Sequence, residues 1–124
     1  MSVKKFVALP PSESCRRIGF DKAYVKHVGP ARIPTLFVEG EAPCFNMEVR
    51  LWPLIYIDCP EYWGIEVVGC LPGGICLTAI KPYHVSIPLA GIIGSRGIEV
   101  LGAHQSEKID LEGGCHSGIE ITAE

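Results

Sequence analysis

The sequence has no apolar run that approaches the roughly 18 to 20 residues of a membrane-spanning helix. Lys4 and Lys5 precede a short apolar stretch, as in a signal peptide. That stretch ends after four residues at Pro10, well short of the roughly 7 to 15 residues of a signal-peptide core. We therefore expect no membrane association, a cytoplasmic location, and a first strand or arm at the N-terminus.

Motifs that bind nucleotide phosphates or build a serine nucleophile are also absent. The patterns G-x-x-x-x-G-K-[ST], G-x-G-x-x-G and G-x-S-x-G do not occur. The glycine-rich segment 91–97 is followed by no convincing helix whose N-terminus would hold an anion. We interpret this segment as a bent strand pair with a turn at Ser95 and Arg96, and we expect no cofactor.

No two cysteines have the C-x-x-C spacing that is typical of redox motifs and of most zinc knuckles. Several cysteines lie within apolar stretches, and without a secretion signal an oxidising environment is not expected. A free cysteine packs as a small hydrophobic residue. We therefore predict buried free thiols at Cys15, Cys44, Cys59, Cys70, Cys76 and Cys115.

Glycine and proline, by contrast, are abundant, with fourteen and ten residues in a chain of 124. Proline removes a backbone donor and glycine destabilises helices, so long helices are excluded. Short strands joined by turns tolerate this density. The sequence therefore predicts an all-β fold, a small β-barrel or β-sandwich of about eight or more short strands.

Alternation of apolar and polar residues is clearest over 45–51 and predicts a strand with one buried face. The continuous apolar residues 54–57 predict a separate strand buried on both faces. Gly-Ile-Glu followed by a β-branched residue occurs three times and predicts three strand starts, at 64–67, 97–100 and 118–121. Further strands are predicted over 35–38, 74–80, 84–89 and 108–111.

One segment in the N-terminal third fits a helix as well as a strand. Asp21 is suited to cap a helix over 22–28, and Gly29 is suited to end it. The aromatic and β-branched residues in the same segment suit a strand. A single helical turn is also predicted over 12–18. The fold class is therefore all-β, or mainly β with one short N-terminal helix.

Charge is distributed unevenly along what we expect to be a single domain over 1–124. Residues 1–32 hold seven bases and two acids, and the rest of the chain holds four bases and twelve acids. We expect 1–32 to form a basic arm that packs on or across the acidic β body, in the same or a neighbouring subunit. A nucleic-acid reader normally carries a basic domain, so no nucleic-acid partner is expected.

The loop predicted over 58–63 combines carboxylates, a thiol and aromatic rings. Loops on a rigid scaffold often carry functional sites, and a carboxylate between aromatic walls acts as a general acid or base. The alternative is an ordinary turn whose rings close the end of the core. The candidate catalytic residues are Asp58, Glu61 and His84, and the candidate ligand-binding residues are Cys59, Tyr62 and Trp63.

A second group of chemically active residues lies toward the C-terminus. His104, Glu107, Cys115 and His116 would supply zinc ligands if a hairpin over 108–111 brought them together. Neighbouring residues on a strand point to opposite faces, however, so Cys115 and His116 would not activate each other. The glycines around them also disfavour a preorganised site.

The excess of apolar residues gives the leading functional hypothesis. The mean hydropathy is +0.26, high for a domain of this size. We expect a small cytoplasmic β domain that binds a small apolar ligand or a protein partner and forms homo-oligomers. The alternatives are a small β-barrel enzyme that uses the 58–63 carboxylates and a metal-binding module.

Overall fold

The computed structural model describes residues 13–115, which form eight strands in two sheets and no helix. The all-β prediction is therefore confirmed, and the arrangement resembles a β-sandwich without a closed barrel. Within the described range no helix is long and apolar enough to cross a bilayer. The strands are β1 (Glu13–Arg17), β2 (Lys22–Val28), β3 (Ile33–Cys44), β4 (Glu48–Pro53), β5 (Tyr62–Pro72), β6 (Thr78–Pro88), β7 (Gly97–Leu101) and β8 (Ser106–Asp110).

The larger sheet is built around β5. On one side β5 pairs with β4 in antiparallel register, from Ile65 opposite Pro53 to Cys70 opposite Glu48. On the other side of β5, two strands lie one after the other along its length. The first half of β5 pairs with β7 in parallel, and the second half pairs with β1 in antiparallel orientation. Strand β8 continues the sheet beyond β7.

The smaller sheet has the order β2-β3-β6, with β3 at its centre. Side chains of β3 alternate between the core and the outer face, as the period of two requires. Leu36, Val38 and Ala42 are fully buried, whereas Phe37 and Glu39 lie on the outer face and are partly exposed. The buried face of β3 therefore supplies one wall of the core.

The core lies between the two sheets. The larger sheet contributes Ile65 and Val67 from β5 and Ile98 and Val100 from β7, all fully buried. The loop after β6 adds Leu89, which is also inaccessible to solvent. Each such side chain stabilises the fold by roughly 1.5 to 3 kcal/mol relative to its exposed state.

In the N-terminal third, strands form in the segments for which the sequence allowed a helix. Residues 22–28 are β2, in which Tyr24 lies opposite Phe37 and the two rings stack with centroids 5.5 Å apart. A cross-strand aromatic pair of this kind stabilises a sheet. The helical turn predicted over 12–18 is wrong, because 13–17 pair with β5 as β1.

The two strands predicted between 45 and 57 are only partly correct. The chain turns after β3, so Phe45 is exposed and the alternating strand begins at Glu48 rather than at residue 45. The strand predicted over 54–57 is wrong: Ile55 and Ile57 are 94% and 99% exposed in a loop. Pro53 is the last residue of β4, and no strand pairing continues beyond it.

Most other strand predictions are confirmed within the described range. Segment 35–38 lies in β3, 84–89 ends β6 at Pro88, and 108–111 overlaps β8. Segment 97–100 begins β7, and the bends at Ser95 and Arg96 precede it in a loop rather than in a strand pair.

Three segments differ from their predictions or lie outside the description. Strand β6 begins at Thr78 rather than at 74, because Gly73 and Gly74 adopt positive φ angles in the turn before it. Segment 64–67 lies inside β5 instead of starting a strand. Segment 118–121 lies outside the described residues.

The prediction of free thiols is wrong, because all six cysteines are paired in three disulfides. Cysteine spacing along the chain does not reveal which strands become neighbours, and the sheet register decides this. Cys15 lies directly opposite Cys70 in the β1–β5 ladder. The bonds join Cys15 to Cys70, Cys44 to Cys76 and Cys59 to Cys115.

The described part of the basic segment, residues 13–32, is integral to both sheets. It contains β1, paired with β5, and β2, paired with β3. Residues 1–12 lie outside the described range, so the packing of a separate arm stays a prediction, as does the single domain over 1–124.

Tyr83 of β6 links the smaller sheet to the segment between β1 and β2. Its hydroxyl donates a hydrogen bond to the Gly19 carbonyl at 2.7 Å, and its ring covers Gly40, where a Cβ would lie 2.7 Å from the hydroxyl. Burial, with a smaller effect of Asp21, raises the pKa of Tyr83 to about 12. The folded protein therefore holds this proton more tightly than the unfolded chain.

This linkage predicts a loss of stability at high pH. The contribution of Tyr83 is complete below pH 10.0, the ordinary phenol pKa, and is lost as the pH rises toward about 12. We expect Tyr83→Phe to cost about 1 kcal/mol at pH 8, where its hydrogen bond is lost, and to flatten the decline between pH 10 and 12. Urea midpoints at both ends of this range test it. An unchanged decline in the variant would assign the alkaline loss to other groups.

Candidate functional site

The 58–63 loop places its two carboxylates in solvent. Asp58 and Glu61 are both exposed, and the sulfur of Cys59 is bonded to Cys115. General acid–base catalysis requires a carboxylate within hydrogen-bonding reach of a bound substrate. The exposed positions of Asp58 and Glu61 add no support to the catalytic hypothesis, which stays a prediction.

The two aromatic residues of this loop contact the protein itself. The Trp63 indole N–H donates to the Leu54 carbonyl at 2.8 Å, and its ring meets Tyr56 edge to face. The Tyr62 hydroxyl donates to Asp110 Oδ1 at 2.6 Å, and this hydrogen bond raises the pKa of Tyr62. None of the cavities described between residues 13 and 115 is lined by Cys59, Tyr62 or Trp63. Ligand binding by these residues therefore stays a prediction.

His84 lies on the outer face of the smaller sheet, whereas the 58–63 loop leads into the larger sheet. His84 Nε2 is 3.2 Å from Glu39 Oε2 and 3.4 Å from the Tyr24 hydroxyl. Tyr24 also donates a hydrogen bond to Glu39, which raises the pKa of Tyr24. These contacts join the three strands of the smaller sheet across its outer face.

The zinc ligands proposed from the sequence are not brought together within the described residues. Cys115 is bonded to Cys59 and so offers no thiolate, and His116 lies outside the described range. His104 is exposed beside a small cavity of about 290 Å³ that Arg16 and Glu41 also line. Between residues 13 and 115 no group of three or more His, Cys, Asp or Glu is placed to hold a metal.

The feature that sequence reasoning missed is an exposed apolar cluster where β3 ends and β6 begins. We call it the apolar tip. Its side chains are 53 to 68% exposed, although each is large and hydrophobic. Three of these residues fall in the strand predicted over 74–80. The apolar tip consists of Phe45, Ile75, Leu77 and Ile80.

Several bonds hold the apolar tip in one conformation. The Cys44–Cys76 disulfide ties the loop before β6 to the end of β3. The Asn46 side chain donates to the Ile75 carbonyl at 2.7 Å and accepts from the Leu77 N–H at 3.0 Å. The Phe45 N–H in turn donates to the Leu77 carbonyl at 2.8 Å. These bonds connect the backbone at Phe45, Ile75 and Leu77 to the end of β3, and their side chains project from it into solvent.

The apolar tip offers hydrophobic contact to a second surface. The Lys81 ammonium lies 5.7 Å from the centre of the Phe45 ring. A bonded backbone loses little further conformational entropy when a partner binds, which favours affinity. Exposed apolar patches with polar rims commonly mark interaction sites.

Comparison with known proteins finds no match for this chain among protein-family models, curated proteins or solved structures. Function is therefore inferred from the geometry of the chain itself. The apolar tip is the surface from which that inference starts.

Proposed function

We propose that this chain is a disulfide-stabilised β-sandwich that acts by binding and self-associates through the apolar tip. The observation that carries the proposal is the exposure of Phe45, Ile75 and Leu77 around the Cys44–Cys76 disulfide. Removing such side chains from water contributes about 25 cal/mol per Å² of apolar surface. Contact between two tips would cover this surface in both copies.

A second copy fits the apolar tip better than a small apolar ligand does. Small ligands usually occupy concave sites, and the two largest described cavities, of about 590 and 580 Å³, are lined by other residues. Identical patches can meet across a two-fold axis, which is the commonest symmetry of soluble oligomers. A net charge of −3 opposes the approach of two copies only weakly.

The three disulfides also bear on where the protein works. Disulfides persist in oxidising compartments and are rare where thiols are kept reduced. We infer an oxidising environment, because the protein contains three disulfides. Two of them join strands or loops of the larger sheet, and the third supports the apolar tip. The cytoplasmic location expected from the sequence stays a prediction, and the disulfides weigh against it.

Self-association through the apolar tip predicts that polar substitutions there weaken the dimer. We expect Ile75→Ser with Leu77→Ser to raise the dimer dissociation constant by more than about tenfold. The matched control is Ile55→Ser with Ile57→Ser, which removes two equally large and more exposed side chains from a different loop. Sedimentation velocity across a micromolar concentration series measures both variants.

Two results would contradict the proposal. One is a wild-type protein that stays monomeric throughout the concentration series. The other is dissociation of the dimer by the Ile55 and Ile57 substitutions but not by those at the tip. Circular dichroism of each variant checks that the sheet is retained.

A further inference from the structure

Strand β2 has one edge that is not paired within the described residues, and the ladder register shows which backbone groups point to it. The Leu89 N–H donates to the Pro34 carbonyl, so even-numbered residues of β3 direct their backbone groups to β6. Odd-numbered residues of β3 therefore face β2, where Phe37 lies opposite Tyr24. The β2 residues that direct their N–H and C=O groups to the unpaired edge are Ala23, Val25 and His27.

The corresponding edge of β6 is protected in a way that the β2 edge is not. By the same register, even-numbered β6 residues face outward, and two of these are Pro82 and Pro88, which have no N–H to donate. Proline at outward positions is a common device against edge pairing. Strand β2 contains no proline along its seven residues. Between residues 13 and 115 no strand pairs with its outward donors and acceptors.

A groove lies at the C-terminal end of β2, where His27 is the β2 residue that lines it, and Asp110 and Glu112 are among its charged residues. Two adjoining cavities of about 590 and 580 Å³ share His27, Pro34 and Ile93 in their walls. Leu111, just after β8, completes an apolar floor with Pro34 and Ile93. Every second side chain of a strand added to β2 would lie on the face that carries Ala23, Val25 and His27, and the one beside His27 would lie at this groove.

The other face of the β2 edge is basic. Lys22 and Lys26 are exposed on the outer face, with their ammonium groups 5.5 and 5.3 Å from the centre of the Tyr24 ring. Arg32 is exposed at the turn that follows β2. Two β2 edges brought together would crowd these lysines, which disfavours pairing of β2 with itself. A strand with acidic side chains on this face would instead complement them.

We propose that the β2 edge binds an extended segment of a partner protein whose side chains alternate between acidic and apolar. The backbone groups of Ala23, Val25 and His27 would bond to the segment as an added strand. Its acidic side chains would lie beside Lys22 and Lys26, and its apolar side chains would lie on the opposite face beside Ala23 and Val25, with one of them at the groove next to His27. This proposal involves neither the apolar tip nor self-association.

Amide hydrogen exchange with a synthetic probe tests the proposal. The probe is a blocked seven-residue peptide in which glutamate alternates with valine or isoleucine. We expect it to slow exchange at Ala23, Val25 and His27 by about tenfold or more. The amides of Tyr24 and Lys26 already bond to β3 and serve as internal controls. A peptide with lysine in place of each glutamate is expected not to bind.

Charge-reversal variants distinguish peptide binding at the β2 edge from nonspecific attraction of the acidic peptide to basic residues. We expect Lys26→Glu to weaken peptide binding by about fivefold, while Arg16→Glu, the same change on β1, leaves it unaltered. Val25→Pro, which removes an outward donor without breaking a bond to β3, is expected to abolish protection at the edge.

Three results would overturn the proposal. They are slow exchange of the edge amides without peptide, protection of other amides by the peptide, and equal binding of the peptide by both charge variants. Sedimentation of Lys26→Glu is expected to match the wild type, so a failure here is distinguishable from a failure of tip-mediated self-association.

Discussion

Removing the Cys15–Cys70 disulfide is expected to lower the free energy of unfolding by about 4 kcal/mol. The two cysteines are 55 residues apart, and opening a loop of that length releases substantial chain entropy in the unfolded state. The expected loss is a large fraction of the roughly 5 to 15 kcal/mol that stabilises a typical domain. Urea unfolding of the Cys15→Ala/Cys70→Ala protein measures it.

The Cys44–Cys76 pair provides the matched comparison. Its 32-residue separation is shorter, so Cys44→Ala with Cys76→Ala is expected to cost somewhat less, about 3.5 kcal/mol. Only this second variant is expected to weaken self-association, because only this bond supports the apolar tip. Equal self-association in the two variants would show that the Cys44–Cys76 bond is unnecessary for the contact.

Alanine at Gly97 is expected to destabilise the protein by at least about 3 kcal/mol. Gly97 begins β7 at a φ of 155°, and a Cβ there would collide with the backbone carbonyl of Ile109 on β8. Backbone atoms held in a ladder cannot move aside as a flexible side chain does. Thermal unfolding of Gly97→Ala measures the loss.

Substitution of Gly73 measures the cost of backbone conformation without the steric collision that is expected at Gly97. It has a φ of 74°, but a Cβ there would meet no atom within 4 Å. Gly73→Ala is therefore expected to cost only about 1 to 2 kcal/mol, the penalty of a left-handed conformation. Similar losses at both positions would mean that the β7–β8 ladder adjusts to the added methyl group.

The local parts of the fold were predictable from the sequence, and the long-range parts were not. The strands predicted over 35–38 and 108–111 are found there, as parts of β3 and β8. The strand predicted over 54–57 was wrong because apolar character indicates burial only on average. Ile55 and Ile57 project into solvent. The pairing of Cys15 with Cys70 depends on a register across 55 residues, which local patterns do not encode.

The candidate site was harder to predict than the fold, because the candidate residues were chosen for their reactive side chains. Asp58, Glu61 and His104 were selected by their chemistry, yet all three are exposed. The apolar tip contains no reactive group, and its residues follow a pattern that usually indicates a core. Asn46 gave no signal either, because its two bonds to the loop exist only once β3 and β6 are paired.

The position of β5 has a consequence for biosynthesis. Its partners come from both directions along the chain: β1 precedes it by some 45 residues, and β7 follows only after β6 has been made. In a nascent chain the first half of β5 therefore lacks its β7 partner until residue 101 has been translated, and its unpaired edge is exposed to aggregation during that interval. Contacts so distant along the chain also slow folding. Chaperones that shield apolar strands during this interval are expected to raise the yield of native protein.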